Sequence, residues 1–439
     1  MKLFQQMLVA GATLSLLAPF ATNASNIVNL EEMNSYVRSN SKPKKFDSKT
    51  FINNIDDDTA NLKGGENALE DNKFEAGGFS DTTTLDGKAV LVIGTVQGAN
   101  ELSGAADGTN EKVQVPYVYQ MNLNTSFTGD DNLYVRLKGG DNWTGAFTSK
   151  PGTYHIEAKD TSVGTEASFK VDKVWYTFPI GDKFTATVGP LIENYYMLAA
   201  TPSVYKPGAL KAFKLGGHAS AFGASTSTGV GLKYVADNGF AVSTTVNSKK
   251  AEKTQGFLTE EDQNKINTQV AYTADNYHVS ATYSRQKGWN SWSYYSTSDL
   301  NAGTSTLTVN SDSFALRGWW RPEETGTATP SLSVGYDLMT FSGRDDVNQG
   351  SGYFVGLNWA DMFQPDDRIG VAVGQPMKAT NAVSGATLSE VDPFLWELYY
   401  SFRPNDSIEV TPAVFGGSDI LSDTDDDVFG AVVTTKFKF

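Results

Sequence analysis

The sequence predicts an all-β fold: a transmembrane, antiparallel, up-and-down β-barrel of about 16 strands with a short N-terminal periplasmic extension. Three observations predict it. Apolar and polar residues alternate with a period of two along many segments, which is the pattern of a strand between unlike surroundings. The links between these segments alternate between short and long, and the chain opens with an export signal.

The export signal is the N-terminal segment, residues 1–24. Lys2 precedes an apolar run over residues 7–20, and the small residues Thr22 and Ala24 are suited to cleavage before Ser25. We therefore expect residues 1–24 to be a signal peptide and residues 25–80 a periplasmic extension, flexible or partly helical. Residues 81–439 then form the outer-membrane barrel.

The composition fits an exported barrel. The 439 residues include no cysteine, so no disulfide framework supports the fold. The formal net charge of -15 argues against nucleic acid as a partner.

The period-two alternation is clear in many segments. In one of them Leu133 and Val135 alternate with Tyr134 and Arg136, whereas the first segment is apolar on both faces. The predicted strands are residues 87–97, 113–126, 132–139, 167–178, 183–190, 229–236, 239–247, 266–274, 277–287, 311–321, 331–341, 351–360, 368–375, 394–403, 407–415 and 428–439.

The last segment carries aromatics on one face and bases on the other. Phe437 and Phe439 share the first face, and Lys436 and Lys438 the second. Outer-membrane barrels present aromatic girdles to the lipid interface. We therefore predict that Phe439 and Phe437 serve barrel closure and assembly.

The links between strands alternate between short and long along the chain. Short turns rich in Asp, Asn and Gly follow even-numbered strands, among them TGDD, IGDK and ADNG, with PEETGTATP and ADMFQPDD somewhat longer. A soluble sandwich has no reason for such sorting, whereas outer-membrane barrels have short periplasmic turns and long outer loops. The long links are residues 98–112, 140–166, 191–228, 248–265, 288–310, 342–350, 376–393 and 416–427.

Three stretches carry a family resemblance. Residues 74–90, 122–137 and 174–184 read FEAGGFSDTTTLDGKAV, NLNTSFTGDDNLYVRL and VWYTFPIGDKF. They resemble the carbohydrate-selective, OprB-like porins and are most similar to the major outer-membrane porins of cyanobacteria, some of them of the iron-uptake type. That family usually has a surface-layer-homology domain before the barrel, and residues 25–72 lack its pattern.

The resemblance implies an outer-membrane porin, a water-filled channel for passive diffusion of small hydrophilic solutes such as inorganic ions, sugars or iron species. By analogy with general porins we expect a homotrimer, with outer-membrane lipid and the barrel assembly machinery as partners. Trp143, Trp289 and Trp292 in outer loops could stack on sugar rings. The alternative is a secreted or surface-exposed β-rich structural protein or adhesin, which leaves the parity of the links unexplained.

The sequence predicts no enzyme, cofactor or metal site. The histidines are His155, His218 and His278, and neither G-x-S-x-G nor H-E-x-x-H occurs. The acidic run 423–427 lacks the later ligand positions of a calcium loop.

The third long link, residues 191–228, is the candidate constriction, because a structureless loop of this length usually has a function. It offers Lys206, Lys211 and Lys214, with Glu193 opposing them. By alternation the wall adds pore-lining Arg136, Lys138, Arg317, Arg321, Glu397 and Arg403. Further inward bases are Lys173, Lys183, Lys233, Lys436 and Lys438, and further inward acids are Asp337 and Glu409.

Because inward bases outnumber inward acids, we predict a pore that admits anions at least as readily as cations.

Overall fold

The computed structural model describes residues 82–98, 111–141, 155–157, 169–217, 226–289, 300, 309–388, 392–420 and 427–439. All of them belong to one compact unit, Asp47–Phe439. The predicted signal peptide and periplasmic extension lie outside the described residues, as do His218 and most of the acidic run near the C-terminus.

The described residues form one closed barrel of sixteen strands, in which each strand pairs antiparallel with its neighbours in sequence and β1 pairs with β16. The predicted barrel is therefore confirmed. Among the described residues no helix is long and apolar enough to span a membrane. The strands are β1 Thr83–Gln97, β2 Tyr117–Thr125, β3 Asn132–Gly140, β4 Lys170–Ile180, β5 Phe184–Glu193, β6 Thr226–Val235, β7 Phe240–Ser248, β8 Asn264–Thr273, β9 Tyr277–Lys287, β10 Asn310–Trp320, β11 Ser331–Ser342, β12 Val347–Ala360, β13 Arg368–Ala382, β14 Phe394–Asn405, β15 Ile408–Ser418 and β16 Val428–Lys438.

Short and long links alternate as predicted, with one exception. The predicted long link 342–350 is reduced to residues 343–346, because β12 begins at Val347 and pairs with β13 as far as Ala382. Strands β11 to β13 therefore extend further than their sequence pattern indicates, and the link 321–330 on the opposite side of the barrel is the longer of the two.

Side chains alternate between an apolar outer surface and a lumen. On β10, Leu316 is 54% exposed whereas the next residue, Arg317, is 4% exposed. Large apolar side chains stay accessible along the outer face of the barrel, where a soluble protein would cover them and a membrane barrel meets lipid.

The surroundings of β1, which pairs with β16 where the barrel closes, explain why both faces of this strand are apolar. Val90 and Val92 face inward and belong to the same buried apolar cluster as Leu210 and Phe415. Leu91 faces outward and is exposed. The inner face of β1 is therefore apolar because a chain segment inside the barrel packs against it.

The C-terminal residue completes this seam. The N–H of Gly87 donates to the carbonyl of Phe439 at 2.8 Å, and the N–H of Phe439 donates back at 3.1 Å. The Phe439 ring stacks on Tyr119 with a centroid distance of 5.7 Å. A Cβ at position 87 would lie 2.7 Å from this ring, so the glycine provides the space that the aromatic needs.

Candidate functional site

The segment 194–217, between β5 and β6, lies inside the barrel and is called the inner loop below. None of its residues is exposed and most are buried. It contains two short 3₁₀ helices, Asn194–Met197 and Lys211–Gly216. The expectation that the third long link folds inward agrees with this geometry.

Side chains of the wall satisfy the polar backbone of the inner loop. Ser243 on β7 accepts the N–H of Ala199 at 3.1 Å. Gln269 on β8 both accepts from and donates to the backbone of Ala200, each at 3.0 Å. Irregular backbone at membrane depth needs partners of this kind, since no bulk water reaches it.

Glu397 on β14 is the strongest of these anchors. Its buried carboxylate accepts the N–H groups of Gly208, Ala209 and Leu210 at 3.0, 3.0 and 2.7 Å. The hydroxyl of Tyr205 donates to the same group at 2.7 Å. Successive backbone N–H groups form an anion-binding concavity, here filled by a wall carboxylate. Glu397 therefore holds the inner loop, whereas the alternation had predicted it as a charge lining the pore.

Arg317 on β10 is also an anchor. Its guanidinium pairs with Asp337 on β11 through contacts of 2.9 and 3.0 Å, and both side chains are almost fully buried. Its Nε donates to the carbonyl of Leu215 at 2.9 Å. Leu215 has a φ of 59°, a strained conformation for a branched residue, and this hydrogen bond helps to hold it. The charge of Arg317 is thus neutralised, which the prediction of a pore-lining base did not include.

Glycines on the wall make room for the loop. A Cβ at Gly335 would lie 1.9 Å from the carbonyl oxygen of Gly216, and one at Gly356 would lie 2.6 Å from the Tyr205 ring. The close approach of loop and wall therefore requires glycine at both positions.

A second segment, residues 155–157 between β3 and β4, also lies within the barrel, and the sequence analysis missed it. The N–H of Ile156 donates to the carbonyl of Ala209 on the inner loop at 2.7 Å. Glu157 forms ion pairs with Lys88 at 2.9 Å and with Lys436 at 3.0 Å. Burial alone would raise the pKa of Glu157, but the ammonium groups of Lys436 and Lys88 hold that pKa well below its ordinary value.

Ion pairs neutralise much of the predicted inward positive charge. Arg136 pairs with Asp172 at 2.8 Å, and Lys173 with Glu193 at 2.9 Å. Asp172 lies beside the lumen because the register between β3 and β4 shifts at Arg136, and such a bulge defeats simple alternation. Around Glu409, three bases lie within 3.6 Å of the carboxylate: Arg403, Lys436 and Lys438.

The remaining predicted bases lie in different places. Lys183 is in the turn between β4 and β5 and pairs with Asp237 at 3.0 Å, so it does not line the wall as predicted. Lys138 lies opposite Lys170 toward the outer end of β3. Lys211 begins the second 3₁₀ helix, close enough to Glu193 to interact electrostatically.

A cavity with a volume of about 280 Å³ lies within the described part of the lumen and is called the basic cavity below. It lies between the inner loop and the link 321–330, on the side of the short turns, and the 155–157 segment reaches its edge. Its charged lining comprises Lys88, Lys206, Lys214, Arg321, Arg368 and Lys436, with Glu157 and Glu324 as the acids. Four bases predicted from the sequence, Lys206, Lys214, Arg321 and Lys436, are therefore brought together here.

No cluster of three or more His, Asp or Glu side chains suited to a metal ion occurs among the described residues. The predicted sugar platform Trp289 is 1% exposed, and the Lys265 ammonium lies 4.3 Å from its ring centroid. Trp143 and Trp292 lie outside the described residues.

Comparisons with solved structures reveal the same fold at low sequence identity. Pseudomonas putida OprB aligns with a TM-score of 0.55 and 10% identity, over 82% of this chain and 94% of that one. The trimer form of Vibrio cholerae OmpT aligns with a TM-score of 0.51 and 11% identity, over 82% and 99% of the two chains.

Two curated relatives come from cyanobacteria. An uncharacterized protein of Nostoc sp. is 26% identical over 412 residues, covering 86% of this chain and 69% of the relative. An uncharacterized protein of Synechocystis sp. is 24% identical over 398 residues, covering 80% and 67%.

The family model described as "Carbohydrate-selective porin, OprB family" matches residues 54–418, which is most of the chain. Together with the closed barrel, this match favours a membrane channel over an enzyme and over the alternative of a secreted adhesin. The chain belongs to the OprB family of carbohydrate-selective porins and is an outer-membrane porin.

Proposed function

We propose that this porin passes small anionic solutes by passive diffusion, with the inner loop as its constriction. The observation that carries the proposal is the charge of the basic cavity, where six basic side chains face two acidic ones. A narrow lumen with low-dielectric walls focuses such a field on a passing ion.

The ion pairs of the wall indicate which basic residues contribute to selectivity. They cancel charge at Arg136, Lys173 and Arg317, so these residues contribute little to selectivity. The excess is concentrated instead at Lys206 and Lys214 on the inner loop and at the arginines of the facing wall. Selectivity therefore belongs to one short zone beside the inner loop, and the rest of the lumen contributes less.

The size of the cavity favours inorganic ions and other small hydrophilic solutes. The inner loop and the 155–157 segment both border a cavity of about 280 Å³. Pockets that enclose drug-sized ligands begin at roughly 300 Å³.

We further propose a homotrimer in the outer membrane, inserted by the barrel assembly machinery and surrounded by lipid. The apolar outer face supports the lipid contact. The trimer rests on likeness of fold to the trimer form of OmpT.

The test is the reversal potential of the purified porin in a planar bilayer under a potassium chloride gradient. We expect a reversal potential whose sign shows that chloride passes more readily than potassium. Folded protein is first identified by a shift in gel migration between unheated and heated samples. A strongly cation-selective wild type would overturn the proposed anion preference.

A further inference from the structure

We propose that the basic cavity is a binding site for a small oxyanion of the phosphate class, which occupies it during passage. This inference rests on the proposed anion preference and adds a chemical class to it. It starts from the residues that line the cavity and from the hydrogen bonds that orient them.

Two guanidinium groups approach the cavity from different strands. Arg321, at the end of β10, donates from Nε and NH2 to the carbonyl of Asp275 at 2.9 and 2.6 Å. Its guanidinium carbon lies 5.6 Å from the Trp319 ring centroid. Arg368, at the start of β13, donates from Nε to the hydroxyl of Tyr399 at 3.1 Å. Both forks are therefore held in fixed directions, and planar guanidinium forks match the oxygens of phosphate.

The inner loop adds two ammonium groups to the lining. Lys206 and Lys214 both line the cavity. The Nζ of Lys214 donates to the hydroxyl of Tyr195 at 2.9 Å and lies 4.8 Å from the centroid of that ring. The lining of the cavity thus combines oriented guanidinium groups with ammonium groups of the inner loop.

Neutral donors complete the lining. Thr201 lines the cavity, is 8% exposed, and its Oγ1 has no hydrogen-bond partner among the described residues. A buried hydroxyl without a partner is costly, so a ligand or water is expected to satisfy it. The link between β10 and β11 contributes Thr325, Thr327 and Thr329 to the same lining. An oxyanion offers several oxygens that accept hydrogen bonds from these hydroxyls at once, whereas a halide offers a single acceptor atom.

The two acidic side chains of the cavity do not neutralise its basic side chains. Glu157 is held between Lys88 and Lys436 at 2.9 and 3.0 Å, and these three groups largely balance one another. Glu324 lies on the link between β10 and β11 and is the other acid of the lining. The lining therefore holds more basic than acidic side chains, an excess that an oxyanion balances in part and a neutral sugar does not.

The experiment measures chloride current through the full-length porin in a planar bilayer while inorganic phosphate is added, with glucose as a neutral comparison. We expect phosphate to reduce the current at concentrations at which glucose has no effect. The double variant Arg321→Gln/Arg368→Gln should raise the half-blocking phosphate concentration at least about tenfold. The variant Arg368→Lys, which keeps the charge and loses the fork, should raise it by a smaller factor of about three.

The matched control is Lys183→Gln, since Lys183 lies in the turn between β4 and β5, pairs with Asp237 and does not line the cavity. Phosphate should block this variant at the same concentration as it blocks the wild type. Absence of block by phosphate, or equal block in wild type and double variant, overturns the oxyanion site. Reversal potentials recorded in the same membranes distinguish the oxyanion site from the proposed anion preference. Chloride preference without phosphate block removes only the oxyanion site, whereas cation preference removes the proposed function itself.

Discussion

The hydroxyl of Tyr205 donates a 2.7 Å hydrogen bond to Glu397, and three consecutive backbone N–H groups of the inner loop point at the same carboxylate. All these donors come from one loop, and the acceptor comes from the wall. Glu397 therefore holds the loop in place, and under the proposed constriction role the width of the pore depends on this contact.

The first prediction is that Glu397→Gln enlarges the pore. The amide cannot accept four hydrogen bonds as a carboxylate does, and bonds to charged groups contribute about 1.5–3 kcal/mol each. The inner loop should leave its position for part of the time, giving higher and noisier single-channel conductance. Glu260→Gln, on an exposed outer loop, is the control and should leave conductance unchanged. Wild-type conductance in Glu397→Gln would contradict the anchoring role.

The second prediction concerns the buried pair Arg317–Asp337. Arg317→Met leaves Asp337 buried without its partner, which should destabilise the barrel by about 3–5 kcal/mol. The double variant Arg317→Met/Asp337→Leu removes both charges and should recover much of that loss. Urea unfolding in detergent measures both. Equal stability of the single and double variants would show that the pair is not the cause.

The third prediction is that Lys206→Glu, Lys211→Glu and Lys214→Glu together move the reversal potential toward cations. The change reverses the charge of the inner loop, and two of these lysines line the basic cavity. Lys253→Glu, on an exposed outer loop, is the control, because salt screens its charge beyond about 10 Å. An unchanged potential in the triple variant would place the selectivity zone elsewhere.

The fourth prediction is that Phe439→Ser lowers the yield of folded barrel in the outer membrane. The backbone bonds to Gly87 remain possible, but the stacking on Tyr119 at the seam is lost. Phe240→Ser, an exposed aromatic near another short turn, should reduce the yield less. Gel migration of unheated membrane fractions measures the folded amount. A normal yield in Phe439→Ser would remove the assembly role.

The fifth prediction links a short turn to acid stability. Asp131 accepts hydrogen bonds from the hydroxyl of Tyr176 at 2.6 Å and from the N–H groups of Phe127 and Thr128 at 2.8 Å each. Burial alone would raise the pKa of Asp131, but these hydrogen bonds, with one from Ser126, hold that pKa well below its ordinary value.

A lowered pKa stabilises the folded state above the unfolded value of about 4, and this contribution is lost as pH falls through the folded value. The wild type should therefore lose stability in acid below about pH 4. Asp131→Asn should be less stable at pH 7 and lose less on acidification. Asp130→Asn, on the same turn, is the control. Equal acid sensitivity of wild type and Asp131→Asn would contradict this role.

Much of the fold was predictable because lipid imposes a simple rule on every strand. Outward residues must be apolar, so each strand shows its period in sequence wherever its inner face is polar. The strands extend beyond the pattern near Val347 because both faces are partly covered there, and the alternation fades.

The candidate site was predictable only in part. Alternation correctly turned Glu397 and Arg317 toward the lumen, but their roles depend on backbone atoms of a loop far away in sequence. Asp172 faces the lumen through a bulge, which period-two reasoning misses. The short segment around Glu157 carries no pattern that distinguishes it from an outer loop.

Two anchors of the inner loop, Glu397 and Arg317, follow it in the chain at a large separation. Tyr205 and Glu397 are separated by 192 residues, and Leu215 and Arg317 by 102. Contacts of such long range form late, because the chain between them must first be ordered. Docking of the inner loop on Glu397 therefore has to wait for β14. If the inner loop is the constriction as proposed, we expect the pore to reach its final width only once β14 is in place.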